Sequence, residues 1–144
     1  MSQENVEVFR RAIAAYEAGD WTTLREITHP DVTLRPAEGF VESGPFLGRE
    51  AVIRWRQETS KVWPDAMPEP LSDFIDIGNR VAVRVRLRGT GRGPEMNLEY
   101  SEVWTFRDGK VIAVEMFFDH ADALEAMGIE EVDAPRSSPP QPSD

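Results

Sequence analysis

The 144-residue chain contains no cysteine, so neither a disulfide framework nor a thiolate metal site is open to it. Its two histidines, His29 and His120, are too few for a histidine-rich zinc centre, and no metal or cofactor is implied. Basic residues are the minority. Sixteen Lys and Arg stand against twenty-six Asp and Glu, a formal charge of -10 that repels phosphate backbones and anionic lipid headgroups. Nucleic acid and membrane surfaces are therefore poor partners. Long apolar runs are missing too: no stretch nears the length of a membrane span, and the opening MSQENVEVFRR lacks a signal-peptide-like core. The expected compartment is the cytoplasm.

What is present, 40% hydrophobic and 29% charged residues over a length suited to one core, predicts a single domain. Ser2 as N-cap, Glu4 in the first turn, and Val6, Phe9, Ile13 and Tyr16 at helical spacing predict an amphipathic helix that ends before Gly19. Asp20 is placed to cap a shorter helix through WTTLREIT, with Leu24 and Ile27 inward. VTLR then reads as a short strand. The segment PAEGFVESGPFLG, residues 36–48, mixes Gly and Pro with Phe40, Val41, Phe46 and Leu47, as a loop closing over something apolar would. A third helix, REAVIRWRQETSKVW, carries Val52, Trp55, Thr59 and Val62 on one stripe and ends before Pro64.

Beyond Pro70 the period changes from helical to two. LSDFIDI, VAVRVRLR, LEYSEVWTF and VIAVEMFF read as four strands, joined by turns at GN and DG and by a longer GTGRGPE connection. Helices followed by an antiparallel run predict an α+β domain, with three N-terminal helices on one face of a curved sheet. A last helical turn, HADALEAMG, precedes a Pro- and Ser-rich end with little to bury. The folded domain is expected over 1–130 and a disordered tail over 131–144.

In YSEVWTF, strand alternation puts Tyr100, Glu102, Trp104 and Phe106 on one side, so a carboxylate stands among aromatics. A two-residue turn at Asp108–Gly109 would set Glu102 opposite Glu115, an unfavourable like-charge pair. A three-residue loop, Arg107 to Gly109, instead pairs Glu102 with Val114, Trp104 with Ile112 and Tyr100 with Met116. On that reading Glu102 faces the helices, among Tyr100, Trp104, Val114 and Met116. Arg84, Arg86 and Arg88 alternate onto the opposite face, as a solvated stripe or a dimer contact meeting Glu99 and Glu115.

The order of elements, with AYEAGDW, HPDVTLRP, FLGREAV and VWTFRDGKVIAVEMFFDHADALEAMG, resembles the SnoaL-like branch of the nuclear transport factor two-like superfamily, over about residues 3 to 130. The resemblance implies a cone-shaped α+β fold, a pocket between sheet and helices, and frequently a homodimer through the sheet. Relatives include ketosteroid isomerases, polyketide cyclases and limonene epoxide hydrolases, and the residues match their catalytic sets unevenly. The tyrosine and the base of ketosteroid isomerases fall on Ala12 and Pro36; their protonated pocket acid falls on Glu102. The last-strand acid of limonene epoxide hydrolases falls on Met116. Asp119 and His120 are the nearest match to the acid and histidine of polyketide cyclases.

A carboxyl in an apolar hollow has its charged form disfavoured and becomes a proton or hydrogen-bond donor near neutrality. Glu102 is thus the leading catalytic candidate, with Asp119 second, although Asp119 and Asp122 around HADAL also read as a helix cap. Tyr16, Trp55, Tyr100, Trp104, Val114 and Met116 are the candidate substrate-binding residues; Tyr16, Trp55 and also Trp63 read equally as core. Two readings stand. One is a pocket protein that transfers a proton on a small apolar carbonyl or hydroxyl compound, in an isomerase-, cyclase- or dehydratase-like step. The other is a non-catalytic ligand-binding or dimerisation module.

Overall fold

The computed structural model describes residues 2–38, 44–90 and 95–128. Helix α1 (Ser2–Ala18) is followed by α2 (Trp21–Glu26), whose Asp20 carboxylate accepts from the Thr23 amide at 3.1 Å and the Thr23 hydroxyl at 2.6 Å, as its place in the sequence predicts. The short strand β1 (Thr28–Arg35) begins four residues earlier than VTLR. It therefore takes in His29, whose Nδ1 accepts from the Asp31 amide. Pro30 has no N–H to donate to a ladder, and the pairing of β1 slips between Thr28 and Thr33.

Phe46 and Leu47 form a two-residue strand, β2 (Phe46–Leu47), antiparallel to β1. The Phe40 and Val41 side of the expected closing loop lies outside the described residues. Helix α3 (Arg49–Val62) buries Val52 and Ile53. Val62, expected inward, is 39% exposed, and it is the neighbouring Trp63 that packs against the core. Strand β3 (Met67–Pro70), with a proline at each second position, is not among the four strands that the sequence pattern predicts. It is an edge strand, where a missing N–H is tolerated.

The remaining strands are β4 (Ile75–Ile77), β5 (Arg80–Gly89), β6 (Met96–Arg107) and β7 (Lys110–Phe117). The sheet runs β2-β1-β7-β6-β5-β3, with β4 also on β5. It is antiparallel except that β1 runs parallel to β7. These two are far apart in sequence, so no hairpin constrains their direction. Val6, Phe9, Ala12 and Tyr16 of α1 and Val52 of α3 pack on the inward row Val81, Val83, Val85 and Trp104. The domain is α+β, with three helices on one face of the sheet as predicted. A fourth helix, α4 (His120–Ala126), lies on the other face. There Ala123, with Met127 just after the helix, packs on Ala82 and Val103.

Gly89 shows how tightly one end of this core is set. A Cβ built there would lie 3.0 Å from the Ala66 Cβ and 3.1 Å from the Trp63 Cβ. These are stiff neighbours. Gly89→Ala should lose about 1–3 kcal/mol in a urea titration through overpacking, and an unchanged midpoint would show that the Trp63 corner yields.

Candidate functional site

Glu102 faces the helices, but by a different register from the one expected. Asp108 (φ 54°) and Gly109 (φ 77°) make a two-residue turn, with Arg107 opposite Lys110 and Phe106 opposite Val111. An irregularity after Thr105 then takes up one residue of β7. Thr105 therefore meets Ala113, Trp104 meets Val114, and Glu102 meets Met116. The bulge keeps Glu102 away from Glu115, so the like-charge clash that argued against a two-residue turn never arises.

The Glu102 side chain is 2% exposed. Its Oε2 accepts from the Tyr100 hydroxyl at 3.2 Å and its Oε1 from the Trp104 indole N–H at 2.9 Å. Both donors are two residues away on β6, which is why alternation delivers all three to one face. Burial pushes the Glu102 carboxyl up from the ordinary glutamate range. The Arg56 charge and the two hydrogen bonds pull it back without cancelling this. Burial, with the Glu102 charge adding to it, also pushes the Tyr100 hydroxyl well above the usual phenol range.

Two hollows lie here. The larger, about 40 Å³, is bounded by Glu102, Tyr100, Met116, Tyr16, Trp55 and Arg56, and farther out by Trp63 and Leu87. The smaller, about 20 Å³, lies towards β1 and is bounded by Trp104, Val114, Val52 and again Tyr16 and Arg56. The larger has room for a few water molecules, so an organic ligand enters only if rim side chains turn aside. Arg56 is half-buried, its guanidinium carbon 5.7 Å from the Tyr16 ring centre and 5.9 Å from that of Trp55. Burial raises the Tyr16 hydroxyl pKa, and the Arg56 charge opposes the shift. The Trp63 indole N–H is buried and has no hydrogen-bond partner among the described residues.

The structure thus gathers Glu102, Tyr16, Trp55, Tyr100 and Met116 around the larger hollow and puts Trp104 and Val114 on the smaller one. Asp119 is elsewhere. Its carboxylate caps α4, accepting from the Ala121 amide at 2.9 Å, and lines an open groove of about 480 Å³ with Glu115, Asp122 and Phe118. His120 lies on the α4 side of the sheet, with its Nδ1 2.7 Å from the Ser101 hydroxyl. Burial, reinforced by the Arg84 charge, lowers its pKa against the pull of Asp119. Of the arginine stripe, Arg84 donates to the Ser101 hydroxyl and the Phe118 carbonyl, Arg86 pairs with Glu99, and Arg88 with Glu69. No group of three or more potential metal-ligating side chains occurs among the described residues.

Known proteins share this architecture. Bal32a from a soil-derived mobile gene cassette superposes with a TM-score of 0.73 at 22% identity, over 80% of this chain and 88% of that one. TerC co-crystallised with polyporic acid is 27% identical, with a TM-score of 0.68 over 87% of this chain and 98% of its own. A putative polyketide cyclase from Sinorhizobium meliloti gives a TM-score of 0.64 at 23% identity, over 76% of this chain and 93% of that one. No curated protein sequence matches the chain. The SnoaL-like domain model matches residues 9–114, which run from within α1 to the middle of β7 and include Glu102, Tyr100, Trp104, Tyr16 and Arg56: the chain belongs to the SnoaL-like domain family.

Proposed function

We propose that the chain binds a small, largely apolar carbonyl or hydroxyl compound between the helices and the sheet, and that Glu102 transfers a proton on it. The observation that carries this reading is a carboxyl 2% exposed, held by two neutral donors, with no cationic side chain within ion-pair distance among the described residues. Burial favours its protonated form, which donates; once ionised, it is a stronger base than an exposed glutamate. The fold it shares with a putative polyketide cyclase and with TerC, crystallised with polyporic acid, supports a small-molecule pocket. The test uses 2-tetralone in D₂O. The protein should speed exchange of the activated α-protons seen by NMR, and Glu102→Gln should not.

A second reading, a binding module without catalysis, draws on another observation. Both Glu102 oxygens are already occupied and little free space remains beside them. Equal exchange rates for wild type and Glu102→Gln, with the probe bound by both, select it. A cytoplasmic homodimer through the α4-side face of the sheet belongs to the same proposal. Ile77, 50% exposed, is a large apolar side chain for a second copy to cover there, and a monomer mass in light scattering removes the dimer. Among the described residues no helix is long and apolar enough to cross a membrane.

A further inference from the structure

We propose that the ligand enters this pocket as an oxyanion, a carboxylate, enolate or phenolate on an apolar body, and that Arg56 binds the charged oxygen. The inference rests on the pocket reading above and narrows its chemistry. A guanidinium carries five N–H donors in a planar fork suited to oxyanions. Arg56 uses none of them on an oxygen: among the described residues it has no hydrogen bond and no carboxylate within 4 Å. Its neighbours are the rings of Tyr16 and Trp55. Ring faces attract the cation without satisfying its N–H groups, so the fork is held beside the hollow and left available.

Glu102 does not take that role. It borders the same hollow, but its oxygens are turned to Tyr100 and Trp104. Burial disfavours the charged form of this carboxyl, which lessens its competition for Arg56 and its repulsion of an incoming anion, and its protonated form can donate to a second ligand oxygen. The space agrees. Both hollows are bounded by Tyr16 and Arg56, so these two side chains form a wall common to both. Drawing the guanidinium off the two rings onto a ligand oxygen joins the hollows and makes room for a ring. An anion gains nothing from the molecule as a whole, which carries a formal charge of -10, so any preference for one must come from a local cation.

The experiment compares 2-naphthoate with its neutral isostere 2-naphthamide by quenching of tryptophan fluorescence, since Trp55, Trp63 and Trp104 border the hollows. Wild type should bind naphthoate at least about tenfold more tightly than naphthamide, the scale of one charge-assisted contact. Arg56→Met should lose that preference while still binding naphthamide, and Arg56→Lys should keep part of it. If circular dichroism shows the Met variant unfolded, Arg56→Gln serves in its place. Equal binding of both probes by wild type, or a preference that survives removal of the guanidinium, overturns the role of Arg56 and leaves the pocket reading standing. Binding of neither probe overturns both.

Discussion

Trp104→Ala should destabilise the protein by about 3–5 kcal/mol, the range for deleting a large buried aromatic. Two separate losses make up the figure. The indole is buried at the centre of the helix–sheet interface, with its ring 4.6 Å from Phe9 and 6.2 Å from Phe106, so truncation leaves a void that the stiff strands β6 and β7 do not close. It also removes the N–H that serves Glu102 Oε1 at 2.9 Å, leaving a fully buried carboxyl oxygen short of a donor. Trp104→Phe separates these effects. It keeps most of the volume and loses the donor, for a cost of about 1–3 kcal/mol. Urea unfolding reads both as shifts in midpoint at unchanged slope. Equal losses in the two variants would mean that the void collapses and that the hydrogen bond alone mattered.

Much of the site was legible because alternation along a strand is a rigid rule. Tyr100, Glu102 and Trp104 had to share a face, and apolar matching across the sheet chose which one. The face survived an error in register: an extended turn and a two-residue turn followed by a bulge both shift the ladder by one residue, and pattern alone cannot tell them apart. Asp20 and Asp119 were readable as caps because capping is local. Arg56 was not singled out. It stands four residues after Val52 and seven before Trp63, on the stripe that turns inward, and a charge at such a place is the signal that Trp55 on α3 and Trp63 just after it obscured. Nor does the sequence reveal that α4 returns to the far face of the sheet. That depends on small side chains, Ala82 and Ala123, fitting across the long range. Asp119 was drawn towards catalysis by its neighbour His120, yet the strand end sends both away from Glu102.

Glu102→Gln should leave the fold in place while reducing proton exchange on 2-tetralone by about 100-fold or more, the lower range for loss of a general acid or base. The amide can adopt the same position. Its oxygen accepts from the Trp104 N–H, which can only donate, and its NH₂ faces the Tyr100 hydroxyl, which can reverse and accept. The two proteins should then part company with pH. The folded carboxyl has its pKa raised above the ordinary value of 4.5, so between the two values the folded state holds a proton that the unfolded state has released. Stability from this group is fully present below the unfolded pKa, and is lost as pH rises through the folded one. Glutamine has no proton to lose, so the variant should gain on wild type across that interval in chemical denaturation at a series of pH values. A wild-type curve parallel to that of the variant would mean that Glu102 is ionised without penalty. The hollow would then be wet enough to solvate a charge, and the carboxyl would have no more reactivity than one on the surface.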